Sequence, residues 1–172
     1  MHSLRLDQLG EADSGGTIGA QLRTAWVGTS VDERLGALRE LWRGDEAGRR
    51  HSYARLILTA GAPARVPPSD EHEEDAANLI AAMLSAGMDR EAARWASVVE
   101  GTGASDRAWA LLAVGAPRPI VGMDNGRIGA FAEADDSPGA MRSRLLVAGL
   151  AGLGRIDADQ AASAGLRLGP DN

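Results

Sequence analysis

Three histidines, His2, His51 and His72, are the only imidazoles in 172 residues, and there is no cysteine. Thiolate nucleophiles, disulfides and cysteine metal sites are therefore outside this chain's chemistry. His72 stands among Glu71, Glu73, Glu74 and Asp75, the densest run of metal-ligating side chains. On a helix only residues three or four apart converge, which leaves Glu71 with Asp75 or His72 with Asp75, and no second histidine completes a zinc-type set. The same carboxylates fall at a helix start, where the macrodipole favours negative charge. They read as a solvated first turn, with no metal and no cofactor expected.

Other constellations resolve in the same way. Gly101-Thr102-Gly103-Ala104-Ser105 precedes a helix and offers backbone N–H groups to an anion, but it lacks the lysine and the preceding strand of a phosphate loop. An interhelical loop ending in a serine cap accounts for it. Asp135 and Asp136 could pair as acid and base, yet they directly precede Ser137-Pro138, a helix-start signal. His51, between Arg50 and Ser52, reads as a surface residue. No residue is assigned a catalytic role.

All 18 basic residues are arginine, which with the abundant alanine and glycine suggests a GC-rich bacterial genome. Arg34, Arg39, Arg43, Arg49, Arg50 and Arg55 interleave with Asp32, Glu33, Glu40, Asp45 and Glu46, an ion-paired face rather than a nucleic-acid footprint. A formal charge of −6 and a pI near 5.0 repel phosphate backbones and anionic lipid, so neither nucleic acid nor membrane is expected as a partner. The longest apolar run, Leu145 to Leu153, is far short of the roughly 20 residues that span a bilayer. The first thirteen residues hold no continuous apolar stretch of the signal-peptide kind. A soluble, cytoplasmic chain is expected.

The elements that would carry these residues are short helices punctuated by glycine, proline and caps. Ile18, Leu22, Ala25 and Trp26 form one stripe ending at Gly28. Ser30 and Glu33 make a capping box before the stripe Val31, Leu35, Leu38 and Trp42. A third helix from about Asp45 is expected to bury Tyr53, Leu56, Ile57 and Ala60, with Gly61 left-handed at its end and Pro63 forbidding continuation. Pro67 and Pro68 extend the connection. Asp70 with Glu73 suggests a second box, followed by Ala76, Leu79, Ile80, Met83 and Leu84 up to Gly87. From Asp89, Ala92, Trp95, Ala96 and Val99 face inward; after a Ser105 cap, Ala108, Leu111 and Leu112 do so until Gly115 and Pro117. An irregular stretch with an Asn125-Gly126 turn leads to a short helix through Phe131. Ser137-Pro138 opens the longest apolar helix, closing at Gly154, and Asp157 caps a last one to about Leu168.

Two echoes recur in the same order. Leu56 to Pro63 and Leu111 to Pro117 both end in Gly-Ala-Pro, and Leu79 to Gly87 resembles Leu146 to Gly154, each followed by a capping aspartate. The expected fold is all-α, with stacked antiparallel helical hairpins forming an α-solenoid-like array of about eight to ten short helices. Residues 1–16 are expected to be a flexible N-terminal segment, and 17–169 a single domain with two quasi-repeats at about 45–101 and 105–168. Neither the period nor the signature of tetratricopeptide or HEAT arrays is present. The four tryptophans, one to a helix, are expected in the core.

A stack of helices without visible chemistry points to a non-catalytic module for protein–protein interaction or assembly. The alternative is an enzyme or small-ligand-binding domain with a pocket between helices. The candidate partner surface combines Arg90 and Arg94, one turn apart, with Arg118 between two prolines and Arg127 after the Asn125-Gly126 turn, bordered by Ile120, Val121 and Met123. Arginine beside exposed apolar residues suits docking of another protein or peptide of acidic character.

Overall fold

The computed structural model describes the backbone of residues 10–43, 49–101 and 106–164, and the side chains of these apart from 10–17 and 49–52. Expectations for the Gly44–Asp45 junction, the His51 side chain, the 102–105 loop with its Ser105 cap, and the end of the last helix at Leu168 lie outside the described residues. The described residues are all-helical, with ten α-helices, three short 3₁₀ turns and no strand. The chain divides into two compact units, Met1–Val66 and Pro67–Asn172, at the Pro67-Pro68 connection. The boundary falls within the first proposed quasi-repeat.

The first unit contains α1 (Gly10–Val27), α2 (Val31–Arg43) and α3 (Arg49–Thr59). The helical backbone of α1 takes in Gly10 to Gly16, part of the stretch expected to be flexible. The α2 start extends the expected box: Ser30 Oγ accepts from Glu33 N at 3.1 Å, and the Glu33 carboxylate accepts from Thr29 N and Thr29 Oγ1, at 2.7 and 2.8 Å. Leu35, Ala37, Leu38 and Leu41 are buried, while Trp42 is half-buried and donates from Nε1 to Thr59 Oγ1 at 3.0 Å.

The third helix departs from its expected stripe. Tyr53 is 56% exposed, Ile57 40% and Leu58 74%, while Thr59 and Ala60 are buried. With apolar residues at 53, 56, 57 and 58, hydrophobicity marks no single face of α3. The Trp42–Thr59 hydrogen bond and the contact after α3 between Gly61 and Trp26 define which side turns inward. Gly61 is not left-handed; a Cβ there would lie 2.5 Å from Trp26 Cη2, so glycine is needed for close approach. Trp26 itself stays 39% exposed, with Arg65 Cζ 5.8 Å from its ring centroid, and Ile18 is likewise exposed.

The second unit holds α4 (Glu73–Ser85), α5 (Asp89–Ala93), α6 (Ala96–Gly101), α7 (Asp106–Gly115), α8 (Asn125–Glu133), α9 (Met141–Gly152) and α10 (Ala158–Ser163). Its hub is α7, which packs on α4, α5, α6, α8 and α9. A helix flanked on several sides must be apolar around most of its circumference, and Ala108, Trp109, Ala110, Leu112 and Ala113 are all buried. Ala76, Leu79, Ile80 and Met83 of α4 meet them, with Trp95 and Val99 fully buried nearby in sequence order. The expected Asp70–Glu73 box is replaced by Ser69, whose Oγ accepts from Glu71 N at 3.3 Å to start a 3₁₀ turn, Asp70–His72. Asp75 is buried while Glu71 is exposed, so the carboxylate pair at i, i+4 is divided between core and solvent.

Both echoes have a counterpart in their glycines, but only the second copy has its capping aspartate: Asp157 accepts from Gln160 N at 2.7 Å, whereas Asp89 is the first residue of α5 and makes no cap bond. Gly87 and Gly154 are left-handed, at φ +72° and +64°, and each closes a Schellman motif: Met88 N donates to Met83 O at 2.9 Å and Arg155 N to Leu150 O at 2.8 Å. Gly61 and Gly115 both admit a neighbouring side chain against bare backbone. At Gly115 a Cβ would lie 2.6 Å from Leu84 Cδ1.

Candidate interaction cleft

A short cleft of about 350 Å³ opens between α5 and the segment that leaves α7, lined by Asp89, Arg90, Ala93, Ala116, Pro117, Arg118 and Ile120. Its α5 wall is placed by the Gly87 turn, which reverses the chain after α4 within two residues. Its opposite wall is placed by Gly115, which lets the end of α7 lie against Leu84, and by Pro117 and Pro119, which restrict the backbone on either side of Arg118 in a bend after the helix. Arg155 fastens that wall from behind: its guanidinium donates from Nη1 to the Ala113 carbonyl and from Nη2 to the Ala116 carbonyl. A cation on the last carbonyls of a helix satisfies acceptors that have no partner within the helix and complements the dipole.

The floor of the cleft is apolar and its rim is charged. Ala116 is buried and Ala93 and Ile120 are half-buried, whereas Arg90 and Arg118 are exposed. Among the described residues neither guanidinium makes a hydrogen bond or an ion pair. The surrounding unit is strongly acidic, with nine arginines against sixteen aspartates and glutamates over 67–172. Two cations at the mouth of an apolar cleft therefore stand out locally against a field of the opposite sign.

Of the seven residues expected to form or border a partner surface, Arg90, Arg118 and Ile120 are brought together, and Val121 is buried in the core. Arg94 is exposed but already engaged within the molecule. Met123 is half-buried, and its carbonyl accepts from Gln160 Nε2 at 3.2 Å. Arg127 is placed differently because Asn125-Gly126 is not a turn: Asp124 accepts from Arg127 N at 2.9 Å and caps α8, putting Arg127 in its first helical turn. From there Arg127 Nη2 donates to Val99 O at 3.1 Å and the guanidinium stacks over Trp109. Its role is to join α6, α7 and α8.

A larger cleft, about 640 Å³, is lined by Asp106, Arg107, Phe131, Ala134, Asp135 and Arg142. Asp135, Arg107 and Arg142 of this lining are each held by a neighbouring side chain. Asp135 Oδ1 accepts from Ser137 N and Oγ at 2.9 and 2.5 Å, and Oδ2 from Ser143 N and Oγ at 2.8 and 2.7 Å. The two serine hydroxyls, Ser137 first, hold this carboxyl well below its ordinary value of 3.8. A general base working near neutrality needs a raised pKa and an open lone pair, and Asp135 has neither. Arg107 Nη1 donates to Asn78 Oδ1 at 3.0 Å, and Arg142 pairs with Asp136 at 3.0 Å. The adjacent aspartates do not act as a pair: Asp135 anchors the start of α9, with Pro138–Ala140 forming a 3₁₀ turn before Met141.

No protein-family model, curated protein or solved structure matches the chain. Among the described residues no helix is long and apolar enough to cross a membrane. Sequence reasoning missed the Arg155 clamp and the Asp135–Ser143 hydrogen bonds, which join residues 42 and 8 positions apart; no local motif signals the first.

Proposed function

We propose that this chain is a helical module that binds another protein or peptide, and that the cleft between α5 and residues 116–120 is where its partner docks. The observation that carries this reading is the pair of exposed guanidiniums, Arg90 and Arg118, without partners among the described residues, at the mouth of an apolar floor. Arginine next to desolvated apolar surface is the composition of interface anchors. The larger cleft favours this reading over an enzyme, because Asp135 is taken up by Ser137 and Ser143, Arg107 by Asn78 and Arg142 by Asp136.

The paired Schellman ends and the paired close-approach glycines support a duplicated helical unit with a solenoid-like ancestry. The direct test is affinity capture from an extract of the source organism, using the chain and its Arg90→Glu, Arg118→Glu double variant. A partner retained by the chain and lost by the variant at equal melting temperature supports the reading. Equal retention by both removes the cleft from it.

A further inference from the structure

We infer that the occupant of the Arg90–Arg118 cleft is the free C-terminus of a peptide ending in an apolar residue. The inference rests on the docking reading above and goes further by naming the ligand chemistry. At about 350 Å³ the cleft lies near the bottom of the ~300–1,000 Å³ range of ligand pockets, room for one or two residues rather than a cofactor. Ala93, Ala116, Pro117 and Ile120 ask for an apolar side chain. Arg90 and Arg118 ask for an anion, since guanidinium binds carboxylate through paired, charge-assisted hydrogen bonds.

How many charges the ligand carries follows from the surroundings. Asp89 lies on the same rim, and residues 67–172 carry a formal −7, so a second or third carboxylate on the ligand meets repulsion. A ligand with one carboxylate attached directly to the residue that fills the apolar floor satisfies all three constraints. A peptide's last residue is the simplest such group. An internal acidic side chain separates its charge from the neighbouring apolar side chain and brings further polar backbone into the cleft.

The test is a titration of the isotopically labelled chain, followed by backbone amide shifts, with acetyl-Gly-Gly-Leu carrying a free carboxylate and with the same tripeptide as its C-terminal amide. The acid is expected to move Arg90, Ala93, Ala116 and Arg118 and to bind about tenfold more tightly than the amide. Arg90→Gln or Arg118→Gln should each cost most of that difference, while Arg144→Gln, exposed on α9, should leave it unchanged. Equal binding of acid and amide at these residues would overturn the carboxylate assignment and leave the docking cleft standing. Hexanoate binding as tightly as the acid tripeptide would point to a fatty acid and overturn the peptide assignment. If neither tripeptide moves these residues, the inference is wrong, and the capture experiment decides the docking reading separately.

Discussion

The guanidinium of Arg127 lies over the indole of Trp109, with Cζ 5.8 Å from the ring centroid, while Trp109 Nε1 donates to the Gly122 carbonyl at 2.8 Å. One tryptophan thus ties α7 to the segment before α8 through its N–H and to α8 itself through its ring. Trp109 and Trp95 are 0% and 1% exposed. Replacing Trp109 by alanine is expected to cost about 3–5 kcal/mol in urea unfolding, because cavity and hydrogen-bond losses fall on the hub helix. A cost below about 1 kcal/mol would contradict the hub role of α7.

How far the sequence reveals this arrangement differs by element. The α4 stripe is legible because Ala76, Leu79, Ile80 and Met83 recur at helical spacing and Gly87 closes the helix with a left-handed residue. The α3 face is not, because apolar residues occupy adjacent positions and contacts from Trp42 and Trp26 define the rotation. The place of Arg127 is not legible either, because Asn-Gly serves both as a turn signal and, after a capping aspartate, as the first residues of a helix. Arg90 and Arg118 come to line one cleft only through the packing of α5 on α7, which spacing along the chain does not encode.

Glycine positions separate steric from conformational demands. Gly87→Ala and Gly154→Ala should each destabilise by about 1 kcal/mol, the cost of a Cβ in the left-handed region. Gly61→Ala and Gly115→Ala meet Trp26 and Leu84 side chains instead, and should force those side chains to shift. Gly129, inside α8 with nothing within 4 Å of a built Cβ, should gain about 0.5–1 kcal/mol on conversion to alanine. Ala140, held at φ 50°, should gain on conversion to glycine. Thermal melts of these variants check the signs.

Asp135 gives stability a defined acid limb. Its folded pKa lies far below the ordinary 3.8 because Ser137 and Ser143 hydroxyls, and then their N–H groups, donate to the ionised form. A depressed carboxyl pKa contributes stability fully above the unfolded value and loses it as pH falls toward the folded one. Glu33, held low by Thr29, acts in the same direction from its ordinary 4.5. Melting temperature should therefore fall below about pH 4. Asp135→Ala should melt lower near neutrality and lose part of that acid dependence; an unchanged acid limb would contradict the assignment.

Arg155 links stability to the cleft without lining it. Arg155→Met leaves the Ala113 and Ala116 carbonyls unpaired and is expected to cost about 1.5–3 kcal/mol, the range for hydrogen bonds to charged groups. It should also weaken binding at the Arg90–Arg118 cleft, because Ala116 is part of the wall. Undiminished affinity in a destabilised variant would show that the wall does not need the clamp.

Hydrogen–deuterium exchange of the chain alone and in complex with its captured partner tests the docking site most directly. Slowed exchange is expected to concentrate in α5 and residues 115–121. Slowed exchange confined to the cleft of Asp106, Phe131 and Arg142, with α5 unchanged, would contradict it.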